Sequence, residues 1–112
     1  MWVKYNNCLV NLNRIVSIRT YVGDITVYDI YGDKKYYRAN LSFFFDSGEY
    51  EMFSFGKFTT EAKAVEFLEL VLKQIIMFEA AGFKYINLNE CIRSKADELD
   101  PIFILSVCAR TI

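Results

Sequence analysis

The 112-residue chain contains no histidine. This removes the commonest general base, the commonest zinc ligand and every Ser-His or Cys-His nucleophile pair. Glycine is sparse: five residues stand singly at 23, 32, 48, 56 and 82, with no loop that could cradle a phosphate, and they read as punctuation in turns and caps. One proline and no low-complexity tract leave nothing to serve as a linker and argue against disorder. The three cysteines, Cys8, Cys91 and Cys108, are odd in number and lack a Cys-x-x-Cys spacing, which argues against a disulfide framework or a thiolate metal site. They read as free thiols used as small hydrophobes. Long apolar runs are also missing, since Ile75-Ile76-Met77-Phe78 and Ile102-Phe103-Ile104-Leu105 fall far short of the roughly 20 residues that cross a bilayer. The opening Met1 to Asn7 does not follow the order of a secretion signal. A cytoplasmic, membrane-free location is expected. Charge of one sign is absent too: 13 basic and 14 acidic residues are spread along the chain, and the net charge of −1 lends no support to nucleic-acid binding.

What the chain has in plenty is aromatic side chains, with ten Phe, eight Tyr and one Trp. These favour half-buried strands. Leu9, Val10 and Leu12, and then Ile15 to Val22, read as two short strands. Gly23-Asp24 reads as a turn into a strand over Ile25 to Tyr31, and Gly32-Asp33-Lys34 as the next turn. From Tyr37 the alternation is regular: Tyr37, Ala39, Leu41, Phe43 and Phe45 should face the core, with Arg38, Asn40 and Ser42 opposite. Asp46-Ser47-Gly48-Glu49 is a hairpin signal returning into Tyr50 to Phe55.

Thr59 or Thr60 then caps a helix whose first turn carries Glu61. Ala64, Val65, Leu68, Val71, Leu72, Ile75 and Phe78 share one stripe, and Gly82 suits a left-handed C-cap. Asn89 could cap a second helix through Ile92, Ala96 and Leu99, stopped by Pro101, before a buried strand from Ile102 to Cys108. Val10-Asn11-Leu12-Asn13-Arg14-Ile15 is echoed by Ile86-Asn87-Leu88-Asn89-Glu90-Cys91, either as a true repeat or as one strand-to-turn punctuation used twice.

The expected architecture is one α+β domain spanning residues 1-112: antiparallel strands over 1-58, one long helix over about 60-81 packed on one face of a sheet of about five to seven strands, and a strand-containing C-terminal extension over 83-112. The opening Trp2-Val3, a strand ending Asn11-Leu12 followed by Ile15 and Ile18, and Phe58-Thr59-Thr60-Glu61-Ala62 leading into a helix resemble small uncharacterised bacterial and phage proteins of pleckstrin-homology-type or similar ββββα architecture. The resemblance covers roughly residues 2-80 and implies an architecture but no activity.

Two surfaces are candidates for function. Leu70, Ile76 and Met77 project from the charged side of the helix and need a cover, either the C-terminal segment of the same chain or a second copy, which makes protein association the leading reading. Tyr28, Tyr31, Lys34, Lys35, Tyr36, Tyr37 and Arg38 form an aromatic and basic cluster that could stack bases and hold phosphates on a sheet face. The bland alternative is rings covering a sheet beside a solvated turn, with Asp24, Asp29 and Asp33 diluting the field. Asp29 and Glu79 are the carboxylates that break local expectation; a small enzyme would use them in acid-base work, whereas a solvated or ion-paired role makes neither catalytic. No metal, cofactor or catalytic set is read from the sequence.

Overall fold

The computed structural model describes residues 1–93 and 100–104. It is α+β, with one long helix and mostly antiparallel strands. The strands are β1 (Trp2–Tyr5), β2 (Cys8–Asn11), β3 (Ile15–Val27), β4 (Lys34–Phe45), β5 (Tyr50–Phe58), β6 (Tyr85–Asn87), β7 (Ile92–Arg93) and β8 (Ile102–Phe103). The helices are α1 (Glu61–Ala80) and the short α2 (Leu88–Cys91). The strands divide among three open sheets, ordered β2-β1-β6, β3-β4-β5 and β7-β8.

The β3-β4-β5 meander is the frame. Ala39, Leu41 and Phe43 are fully buried on the core face of β4, with Tyr37 and Phe45 partly so, as the alternation requires. The connection from β4 to β5 is the expected hairpin: Gly48 N–H donates to Phe45 C=O at 3.1 Å, and Phe45 N–H donates to Glu49 C=O at 2.9 Å. Gly23-Asp24, in contrast, is not a turn. β3 runs through it without a break, with Gly23 opposite Arg38 and Asp24 opposite Tyr37, and the chain reverses only over 28-33. Twelve aligned cross-strand pairs with β4 outweigh the local turn preference of a Gly-Asp dipeptide, and Lys35 Nζ meets Asp24 Oδ2 at 2.9 Å. Tyr28, Asp29 and Tyr31 therefore lie outside β3, in the exposed connection.

α1 begins where the sequence places it. Thr60 Oγ1 accepts from Lys63 N–H at 3.2 Å, the N-cap bond, with Glu61 at the positive end of the helix dipole. At the other end Gly82, at φ +86°, supplies the left-handed residue that a side chain would resist. Phe83 N–H donates to Phe78 C=O at 3.0 Å and Gly82 N–H to Glu79 C=O at 3.1 Å. The Phe78 and Phe83 rings meet at 5.0 Å, the apolar contact that accompanies this termination. Ala64, Phe67, Leu68, Val71 and Ile75 bury the inner stripe. Phe67 joins helix to sheet, its ring 5.3 Å from Phe55 and 5.1 Å from Phe58.

β1, unread as a strand in the sequence, is the centre of the second sheet: β2 pairs with it antiparallel and β6 parallel, so Val3 lies between Val10 and Ile86, all three buried. The two Asn-Leu-Asn segments build the same local turn. Asn11 Oδ1 accepts from Asn13 N–H and Asn87 Oδ1 from Asn89 N–H, each at 3.1 Å, and the intervening Leu12 and Leu88 turn inward. Because β2 and β6 run in opposite senses, Asn11 sits opposite Trp2 and Asn87 opposite Lys4, and the two turns leave the sheet at opposite ends of β1.

The expected cap at Asn89 belongs to Asn87. Asn89 instead bolts the β1-β2 connection: its Oδ1 accepts from Asn6 N–H at 2.6 Å and its Nδ2 donates to Asn6 Oδ1 at 2.9 Å. The second helix is a single turn, and Ile92 opens a strand, because its pairing with Phe103 takes the backbone that a longer helix would need. Ala96 and Leu99 lie outside the described residues, as does the strand expectation beyond Ile104. Cys8 is free, whereas Cys91 is disulfide-bonded, which corrects the reading of three free thiols for that residue; Cys108 is outside the described residues. Spacing along the chain does not restrict a disulfide, which needs only two Cα atoms within about 7 Å in space.

Candidate binding surfaces

The register of the meander sorts every side chain of β3, β4 and β5 onto one of two faces. Directly opposed residues share a face, so Thr20-Leu41-Phe53 and Val22-Ala39-Phe55 point inward, while Arg19-Ser42-Met52 and Tyr21-Asn40-Ser54 point outward. By this rule the sequence cluster comes apart. Lys34, Tyr36 and Arg38 lie on the outer face, Lys35 and Tyr37 on the inner, and Tyr28 and Tyr31 in the connecting loop, 80% and 89% exposed. Two cation contacts mark the division: Lys35 Nζ stands 5.9 Å from the Tyr37 ring, and Lys57 Nζ 5.4 Å from the Tyr36 ring on the other side.

The outer face gains residues that the sequence reading did not include. Arg19 lays its guanidinium 4.7 Å from the centroid of Phe44, which stacks on Tyr50 at 5.3 Å with 29° between the planes. Tyr21 lies beside Gly23, where a Cβ would make an ordinary contact with the tyrosine ring at 3.4 Å. Beneath these, buried Asn40 accepts at Oδ1 from Ser54 Oγ at 2.6 Å, which satisfies the polar floor. Period-two counting over Ile15 to Val22 puts Arg19 and Tyr21 on one face, and the pairing with β4 makes that face the one shared with Arg38.

A second surface follows the outer edge of β3, which among the described residues pairs only with β4. Between that edge and α1 runs a groove in two stretches. The first, about 430 Å³, is lined by Thr20, Tyr21 and Val22 with Glu61, Val65, Leu68, Glu69 and Leu72. The second, about 420 Å³, adds Leu12, Ile15, Val16, Ser17 and Ile18 with Leu72, Ile76 and Glu79. Leu72 belongs to both and joins the two stretches, and among the described residues the charged lining side chains are Glu61, Glu69 and Glu79.

The three helix residues singled out by sequence are separated. Ile76 lines this groove and is 54% exposed. Leu70 faces the opposite flank, in a cleft shared with Pro101, Ile102 and Phe103, so the chain's own C-terminal segment lies against it. Met77, two turns from Leu70, is 52% exposed. Asp100 holds that segment to the start of α1: Thr59 N–H donates to its Oδ1 at 2.9 Å, and Lys63 Nζ meets its Oδ2 at 2.9 Å. The Thr59 backbone N–H first, then Lys63, keeps the Asp100 carboxyl below the usual carboxylate range.

Asp29 and Glu79 are both exposed and lie on different elements, Asp29 in the β3-β4 connection and Glu79 in the last turn of α1. Among the described residues no three His, Cys, Asp or Glu side chains gather as metal ligands, and no helix is long and apolar enough to cross a membrane. No protein-family model matches the chain, and neither does any curated protein or solved structure.

Proposed function

We propose that the protein is a non-enzymatic binding module that takes an extended segment of a protein partner as an added strand along β3. One observation carries this reading: among the described residues β3 has no strand on its outer edge, and Ile15 to Val22 of that edge border an apolar groove. An exposed edge offers a row of backbone donors and acceptors, and strand addition uses that row for affinity and the adjoining pocket for choice of side chains. The three glutamates on the groove favour a segment that alternates apolar residues with Lys or Arg. A second copy of the chain is the other partner of this class, and half-exposed Ile76 would be buried by either. The Cys91 disulfide suits an oxidising compartment better than the cytoplasm, so a cytoplasmic location is no part of the proposal.

Selection of extended peptides from a random displayed library, paired with sedimentation of the free protein, tests it. Enriched peptides should carry the alternating apolar and basic pattern, and Val65→Lys or Ile76→Lys should weaken their binding by about tenfold, since each removes about 1 kcal/mol of apolar burial and opposes a basic ligand. A dimer dissociated by Ile76→Lys identifies the occupant as a second copy. A protein that stays monomeric and enriches no peptide overturns the reading.

A further inference from the structure

We propose a second binding surface: the outer face of the β3-β4-β5 meander is a platform for single-stranded nucleic acid. The face carries four cations, Arg19, Lys34, Arg38 and Lys57, and its register positions from Ser17 to Val27, Lys34 to Phe44 and Tyr50 to Ser54 include no carboxylate. The other nine basic residues share the rest of the chain with all fourteen acidic ones. A net charge of −1 therefore does not describe this face, and it is the local field that an anionic strand meets within a Debye length of about 10 Å.

None of the four cations is held in an ion pair among the described residues, whereas Lys35 on the opposite face is tied to Asp24. Rings stand among the charges, with Tyr21 68% and Tyr50 58% exposed. Arg19 presents its guanidinium plane over Phe44, a surface on which a base can stack as it does on an aromatic ring. Exposed ring faces between unpaired cations fit unstacked bases on a flexible phosphate chain, while a duplex keeps its bases inside and offers phosphates alone. The surface lies on the opposite side of the sheet from the core and shares with the groove beside α1 only Ser17 and Tyr21 at the β3 edge, so Tyr50→Ala and Arg38→Ala separate the two.

Fluorescence anisotropy of a labelled oligothymidylate of about 16 residues at low ionic strength reads this directly. The single strand should bind at least about tenfold more tightly than a duplex of equal length, with a log-log salt slope near −3 for four neutralised phosphates. Tyr21→Ala and Tyr50→Ala should each weaken binding about fivefold or more with the slope kept. Arg38→Ala should lower the slope by about 0.7, whereas Lys35→Ala, the same change in net charge on the wrong face, should leave affinity within about twofold. Equal affinity for duplex, absence of binding at low salt, uptake by phosphatidylserine vesicles in place of the oligonucleotide, or equal losses in Arg38→Ala and Lys35→Ala would each overturn the proposal. The wild-type comparison of strand, duplex and vesicle decides without any variant having to fold.

Discussion

Replacing Asp100 by alanine should loosen the C-terminal segment from the start of α1, and the contacts set the size of the effect. The carboxylate accepts from Thr59 N–H at 2.9 Å and from Thr59 Oγ1 at 3.1 and 3.2 Å, and pairs with Lys63 Nζ at 2.9 Å. The ion pair is the weaker part, because its side chains are 52% and 36% exposed, and such surface pairs are worth about 0.5 kcal/mol. The hydrogen bonds from Thr59 contribute about 1 kcal/mol after discounting for solvent, and the negative charge beside the helix N-terminus about 0.5 kcal/mol. Asp100→Ala should therefore cost about 2 kcal/mol, or about 8 °C in melting temperature for a domain of this size.

Asp100→Asn, which keeps one acceptor oxygen, should fall between, and Lys63→Ala should lose no more than about 0.5 kcal/mol. Because the folded-state pKa is depressed, the charge-dependent stabilisation is fully present above the ordinary carboxyl value near 3.8 and is lost as pH falls through the lower, folded one. Thermal unfolding followed by circular dichroism at pH 7 and at about pH 2 should show the gap between wild type and Asp100→Asn closing at the acid end. A gap that does not change with pH, or a Lys63→Ala variant as damaged as Asp100→Ala, would refute this account.

Gly56 lies at φ +129° in β5, and a Cβ there would sit 3.0 Å from Tyr37 O; Gly56→Ala should cost about 2 kcal/mol or more in urea unfolding, while Gly23→Ala, which meets only ordinary contacts at 3.4 and 3.7 Å, should stay within about 1 kcal/mol. Leu88→Ala should cost about 2–5 kcal/mol by the same measurement, because Leu88 is fully buried, against less than about 1 kcal/mol for exposed Leu9→Ala. Cys8 has its thiol pKa raised by desolvation and by the Glu51 carboxylate, whose Oε2 lies 3.7 Å from Sγ. Less thiolate at a given pH means slower alkylation, so iodoacetamide at pH 8 should react more slowly with Cys8 than with a free cysteine, and Glu51→Gln should speed it.

Local signals were legible where the physics is local. The Thr60 cap, the Gly82 termination, the hairpin after Phe45 and the inward set of β4 all follow from neighbours within a few residues, and each is where the sequence puts it. The misread places are those where distant backbone competes. Gly23-Asp24 is drawn straight by β4, Ile92 is taken from a helix by Phe103, and Trp2–Tyr5 becomes a central strand only because β2 and β6 arrive on either side.

The candidate sites follow the same division. Residue types and their periods determined that this chain has an aromatic sheet and one amphipathic helix, because alternation and capping are written in consecutive residues. Only the tertiary structure decided that Lys34, Tyr36 and Arg38 join Arg19, Tyr21 and Lys57, and that Leu70 meets Pro101 to Phe103 while Ile76 meets β3. The reason is parity: side chains on a strand alternate with period two, so one residue of register exchanges the faces, and register is set by pairing between segments that the sequence keeps apart.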